Sequence, residues 1–450
     1  MEKYKINSIE SINAELIMSL IERFRLNELP RINKLYKYYK GEQGILNRTM
    51  ADPLKPNNKV NNPWYRHISN TAQSYFIGVP VAYQSSDDNL QETLQDIFNK
   101  NMEQSENSKL AKDASVCGIG YELLYVNEEG EIKFDVLSPK ETFMIHDNTI
   151  QNNVLAGIRF YDTYDYVTEE TQMFVEVYTD STIYYYIEDE DGLKLKDEKE
   201  HYYKAVPIIP YYNNLEIISD AEPVLTLIDA YDVLVSDSLN NMESFADAYM
   251  LIKNMEMTKE QVYEMKENRV IMVQGDGDAA WLTKGSQPEE IELDKTRLVT
   301  DIHKLSGIVD LSDTRFAGSE TSGSALRYKI MSLENLTKNK ERYFKHSLER
   351  RIKLICNLLN VKGHSYDYAD VAIKFSRNLA ADEEIIVKTV TELRGFVSDK
   401  TLLAMLPFIE NVDFELELLG KQQEDSLDGY EEIFNQEEKQ ADETEVAEEE

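Results

Sequence analysis

Residues 309–323 read VDLSDTRFAGSETSG, and residues 324–361 continue SALRYKIMSLENLTKNKERYFKHSLERRIKLICNLLNV. The first piece joins two glycines, Gly318 and Gly323, to a run of Ser, Thr and Asp, the chemistry of a polar loop able to change its backbone angles. The second holds no Pro or Gly before Gly363, and Leu326, Met331, Leu333, Leu336, Tyr343, Phe344, Leu348, Ile352, Ile355 and Leu359 recur at helical spacing. One helix of some ten turns is predicted. Between Arg327 and Lys353 it carries nine Lys/Arg (327, 329, 338, 340, 342, 345, 350, 351, 353) against Glu334, Glu341 and Glu349. A solvated face is the common meaning of such a run. In a chain of formal net charge −35, the excess instead points to a phosphate or to the acidic surface of a neighbouring subunit as the partner of Arg327, Lys329, Lys338, Lys340, Arg342 and Lys345.

Composition bounds the rest. At 450 residues the chain exceeds a single core, and 42% hydrophobic residues with 28 Tyr and 15 Phe supply ample packing material. A sequence pI near 4.6 argues against a surface that grips nucleic acid, while allowing one that DNA passes without sticking. Cys117 and Cys356 are too few for a disulfide framework, and no apolar run approaches the roughly 20 residues of a membrane span. A reducing cytoplasm and no membrane are expected.

The predicted class is α+β. Residues 1–220 open with helices over 6–27 (capped by Ser8), 30–40, 64–76, 90–101 and 105–116. A largely antiparallel sheet follows, with strands at 121–126, 132–137, 155–161, 173–178, 182–188 and 206–212. From Glu222 the period becomes helical, and no Lys or Arg occurs between Lys204 and Lys253, so this helix is acidic at Asp229, Asp232, Asp237, Glu243 and Asp247. A small unit over 249–286 then places a hairpin of strands 270–273 and 279–282 about Gly275-Asp-Gly277, beside an extended 250–253 and a helix at 259–267. A helix opens at Pro288 and closes at Gly307, antiparallel to the acidic one. Beyond the long helix come a strand at 369–376 and short helices over 382–396, 399–409 and 414–423. The last 27 residues hold thirteen acids against Lys439, the pattern of a disordered tail.

Motifs for catalysis are missing. There is no phosphate-binding loop, Cys117-Gly-Ile-Gly120 lacks the third glycine of a dinucleotide fingerprint, and the six histidines have no metal-ligand spacing. No catalytic residue, metal or cofactor is assigned.

The order of parts resembles the portal proteins of tailed bacteriophages, of the siphophage type found in phages of Gram-positive hosts. The phrases that carry the resemblance are YYKG (38–41), NTAQSYFIGVP (70–80), LIDAYDVLVSD (227–237) and SGSAL (322–326), within a match over about 7–423. Glu320-Thr321 departs from the Asn-rich approach to Ser322-Gly323 that the family leads one to expect. The resemblance implies a ring, typically of twelve subunits, at one capsid vertex, assembled in the bacterial cytoplasm. Double-stranded DNA passes through it without sequence specificity during packaging and ejection. The implied partners are the terminase large subunit, the head-tail adaptor, and the major capsid and scaffolding proteins. In this sequence 1–220 and 324–377 become the wing, 221–248 and 287–308 the stem, 249–286 the clip, and 378–423 the crown. The 309–323 segment becomes the tunnel loop, with Ser312, Asp313, Thr314, Arg315, Phe316, Gly318, Ser319, Thr321 and Gly323 beside DNA. Trp281 is the candidate anchor of the clip interface.

Two other classes compete. An acidic enzyme using the basic helix to bind nucleic acid would need a clustered site that the sequence does not offer. A coiled-coil scaffold would explain the long helix but not a hairpin inserted between two helices.

Overall fold

The protein is described by a computed structural model covering residues 4–52, 55–167, 169–246, 249–253, 258–261, 263, 278–282, 288–310, 330–377, 383–403 and, beyond these, 406, 409, 412, 415–416 and 418–422. The predicted strand 270–273, most of the predicted helix 259–267, Asp247, Arg327, Lys329, the loop residues 312–323 and the acidic tail lie outside them.

Side-chain competition for backbone N–H groups sets the first boundary. Ser8 accepts from Glu10 N at 3.2 Å and caps only a 3-10 turn at Ile9–Ser11, and Asn13 accepts from Leu16 N at 2.8 Å and caps helix α1, Ala14–Asn27. The expected single helix from residue 6 is therefore corrected: Tyr4–Ile6 is strand β1. Helix α2, Leu29–Lys40, carries Pro30 in its first turn and stops where Gly41 takes φ 86°. Helices α3 (Trp64–Ile77), α4 (Asp88–Lys100) and α5 (Glu103–Cys117) follow within two residues of their expected bounds.

The strands between residues 119 and 212 fall into two sheets rather than the one expected. Strands β3 (Ile119–Val126), β4 (Ile132–Leu137) and β10 (Ile208–Tyr212) make an antiparallel sheet in the order β10-β3-β4. Strands β5 (Thr142–Asp147), β6 (Val154–Asp165), β7 (Glu170–Tyr178), β8 (Thr182–Asp189) and β9 (Gly192–Glu200) make an antiparallel run that β1 extends in parallel beside β5. Neither β5 nor β9 was expected. The first is wholly buried and shows no alternation. The second reads GLKLKDEKE, a charged edge strand held by its ladder to β8, with lysines that discourage further pairing.

Period-two alternation along β3 and β10 separates two cores. Ile119, Tyr121, Leu123 and Ile208 join α1–α3 and the six-stranded sheet in the first, while Leu124, Ile209 and Tyr211 face a second with α4 and the long helix. The Cys117-Gly-Ile-Gly120 phrase is the turn into β3. Gly118 has φ 91°, and a Cβ there would meet Ile217 O at 2.2 Å; one on Gly120 would meet Leu110 O at 2.9 Å. Only glycine fits both, a packing role rather than a phosphate one.

Helix α6, Leu225–Ala246, is acidic and leads into β11, Tyr249–Lys253, which pairs antiparallel with β12, Asp278–Leu282, ahead of helix α7, Pro288–Ser306. Strand β12 pairs with β11, and the expected hairpin partner, residues 270–273, lies outside the described residues. Helix α8, Met331–Val361, is the long helix, and β13, Val371–Lys374, pairs with β2, Ala82–Ser85. Residues 379–450 form a separate unit, in which helices α9 (Glu383–Leu393) and α10 (Asp399–Leu403) flank a turn at Gly395, φ 92°.

Candidate channel and assembly surfaces

Helices α6 and α7 pack along each other, leaving between them an open groove of about 540 Å³ lined by Ala230, Val233, Leu234 and Asp237 of α6 and Asp294, Arg297, Leu298 and Asp301 of α7. Three carboxylates against one guanidinium make this groove acidic, in keeping with the Lys-free stretch seen in the sequence.

The acids of α6 are not a bare wall, however. Asp229 accepts from Tyr38 Oη at 2.7 Å, and Asp232, 1% exposed, accepts from Asn62 N and Nδ2, both at 2.9 Å. Ser236 Oγ accepts from Val60 N at 3.0 Å, Asp237 pairs with Arg48, and Glu243 accepts from Asn58 Nδ2 at 2.8 Å. One side of α6 therefore holds the Asn-rich segment 55–63, which would otherwise leave its backbone N–H groups without partners. Burial pushes the Asp232 carboxyl up to about 6 against the two Asn62 bonds that favour its charge. Asp232 is thus a buried acid of the helix, its carboxylate held by Asn62.

The charges of α8 divide in the same way. Lys340, 4% exposed, donates to Asp220 and to Ser115 Oγ at 2.8 Å. Arg351, fully buried, gives a fork to Glu122 (Nε at 2.9 Å, Nη2 at 2.6 Å) and further bonds to Glu103 at 3.0 Å and Asn107 at 2.8 Å. Its guanidinium lies 4.6 Å from the Phe134 ring centre, and Tyr211 donates to Glu122 at 2.8 Å. These two cations hold the helix to α5, β3 and Asp220 and cannot meet phosphate, which corrects the expectation for Lys340. Lys338 and Arg342 are exposed and Lys345 half-buried; Lys338 lies 3.7 Å from Glu334, while Arg342 and Lys345 have no partner among the described residues.

Between α7 and α8 the chain leaves and returns at one place. Gly307 ends α7 with φ 74°, and Ser332 Oγ, in the first turn of α8, donates to Gly307 O at 3.3 Å. His303 Nδ1 lies 3.2 Å from Ile308 O, and its ring packs edge-on against Trp64 at 5.4 Å, next to Tyr231 at 5.8 Å from the same indole. Ile308, Ile330 and Leu333 are buried around this clasp. Sequence periodicity could not find this closure, because a serine–carbonyl bond between residues 25 apart leaves no local pattern. Trp281 lies on β12, opposite Met250.

The family profile described as "Phage portal protein, SPP1 Gp6-like" matches residues 20–428 of the 450. The chain belongs to this family. The portal protein of Bacillus phage SPP1 is 26% identical over 411 residues, 87% of this chain and 80% of the relative. That of Clostridium phage phiCD119 is 24% identical over 445 residues, 92% and 94% of the two chains. Both phages infect Gram-positive hosts, as the resemblance implied. A portal protein of this family is a structural component of the virion, not an enzyme. It sits at a capsid vertex and forms the oligomeric ring through which DNA is packaged and ejected. No helix among the described residues is long and apolar enough to cross a membrane, and no group of metal-ligating side chains occurs among them.

Proposed function

We infer that the channel is organised by the α6–α7 pair as stem, with 249–286 as clip, 309–323 as tunnel loop, 1–220 and 324–377 as wing and 378–423 as crown. In this reading twelve subunits close the ring, and the clip meets first the terminase large subunit and then the head-tail adaptor. The wing meets the major capsid and scaffolding proteins. The observation that carries it is the clasp between Gly307 and Ser332, from which residues 309–330 depart and to which they return. A loop with both ends anchored on packed helices can change conformation without disturbing them. Its residues Ser312, Asp313, Thr314, Arg315, Phe316, Gly318, Ser319, Thr321 and Gly323 supply hydroxyls that exchange hydrogen bonds with phosphate and a single cation flanked by acids, so DNA is touched and released. The acidic α6–α7 groove supports the same reading, since like charge keeps phosphates from binding a wall they must slide past.

The test is to replace Cys117 and Cys356, introduce one cysteine within 312–323 and link the loops across the ring. Rings should form normally and packaging should stop. Packaging at the parent rate with verified cross-links would remove the tunnel-loop role.

A further inference from the structure

The three-stranded sheet has two edges, and each carries a helix with a row of like charges on its outward side. At the β10 edge, the first half of α8 is seated through Ser347 Oγ donating to Pro210 O at 2.7 Å and through Phe344 against Tyr211 at 4.8 Å. Opposite the buried Phe344 and Leu348, its outer side presents Lys338, Arg342 and Lys345 at i, i+4, i+7, a row about 10 Å long. At the β4 edge, α4 is seated through Phe98 against Phe134 at 6.4 Å. Asn101, just past its last residue, donates to Ile132 O at 3.0 Å and accepts from Phe134 N at 3.2 Å. Opposite the buried Leu90, Leu94 and Ile97, it presents Asp88, Glu92 and Asp96, all exposed, at i, i+4, i+8, a row about 12 Å long.

We propose that the Lys338–Arg342–Lys345 row of one subunit docks on the Asp88–Glu92–Asp96 row of the next. The two rows are of similar length, about 10 and 12 Å, carry three charges each and are opposite in sign. They stand at opposite edges of one sheet, the arrangement a head-to-tail contact needs and a two-fold contact does not. Arg342, Lys345, Asp88 and Glu92 have no partner among the described residues. The two end positions are held only by exposed pairs within their own helices, Lys338 with Glu334 at 3.7 Å and Asp96 with Lys100 at 2.9 Å, which exchange readily. The occupant is a second copy of this chain, because a basic row on a protein of net charge −35 meets a complementary acidic row on another copy. DNA is the other polyanion available. Lys340 and Arg351 turn inward, however, leaving α8 a narrow row rather than the broad basic face that phosphate binding favours.

The proposal rests on the ring reading, and the test separates the two. Full-length protein is prepared as parent, as the α8 variant Arg342→Glu with Lys345→Glu, and as the α4 variant Glu92→Lys with Asp96→Lys. Ring content is read by electron microscopy and native mass spectrometry at low salt. Each variant alone should keep the parent's circular dichroism and lose rings about tenfold or more, because attraction becomes repulsion at every contact. Mixing the two variants should restore rings of alternating subunits, as should the chain carrying all four changes. Single-row variants that assemble like the parent, or folded variants that mixing fails to rescue, would overturn the contact. If the parent itself forms no rings, the ring reading falls and this contact falls with it. Variants that form rings yet lose DNA retention would assign the row to phosphate instead.

Discussion

Arg351 shows how one residue's meaning depends on its surroundings. In the sequence it is one of nine cations on a helix; in the fold it is a buried fork between Glu122 and Glu103, both also buried, with aromatic rings on its flanks. Two carboxylates and one guanidinium in a closed site are tolerable only because Tyr211, Tyr83 and Asn107 supply further hydrogen bonds. Burying charge is expensive, so the cluster is better understood as fixing the register of α8 than as a source of net stability. Arg351→Met should destabilise the protomer by about 3–5 kcal/mol, since it strands two buried carboxylates. Adding Glu103→Gln and Glu122→Gln should recover most of that loss in denaturant unfolding. A triple variant no more stable than Arg351→Met would show that the guanidinium acts through packing alone.

At the scale of elements, the seam between α6 and residues 55–63 joins a helix that looks like a charged wall to a loop that looks unattached. Asp232 is its centre, and its carboxyl is raised to about 6 by burial. A carboxyl with a higher pKa folded than unfolded lends stability below its unfolded value of about 3.9, and that contribution is lost as the pH rises through 6. Asp232→Asn keeps the acceptor that Asn62 uses and removes the titration. Relative to the parent, the variant should gain about 2 kcal/mol between pH 4 and pH 7.5. Unfolding curves at fixed protein concentration measure this, and parallel pH profiles for the two proteins would contradict it. The elements themselves were largely legible: α2 through its proline and glycine, α3 to α8 through their stripes, and the hairpin β3–β4 through its turn. Strand β9 was missed because its charges hide the pleat, and β5 because full burial removes alternation. The first helix was drawn too long because Ser8 and Asn13 are equally good caps on paper.

For the whole molecule, the acidic end is expected to be dispensable for the ring. Residues 424–450 hold thirteen acids, one lysine and no apolar period able to dock them. Truncation after Gln423 should therefore leave rings, counted by electron microscopy, and terminase binding at parent levels. Trp281→Ala should leave rings but weaken terminase and adaptor binding about tenfold, the usual consequence of removing an aromatic anchor. Failure of the truncated chain to form rings, or undiminished binding by the tryptophan variant, would refute the respective arm.

Much of this was determined by the sequence alone: the α+β class, the order of helices and sheets, the acidic and basic helices, and a family resemblance that matching over residues 20–428 bears out. Period, caps and turn residues act over a few positions, so they can be read locally. Which charges face inward was decided only by tertiary structure. Lys340 and Lys338 are two residues apart on one helix, yet the first is buried against Asp220 and the second exposed. The same holds for the clasp of Gly307 by Ser332 and the split of β3 between two cores. Each depends on groups far apart in the chain, and for the buried charges the low-dielectric interior makes an unpaired group cost far more than it does in water.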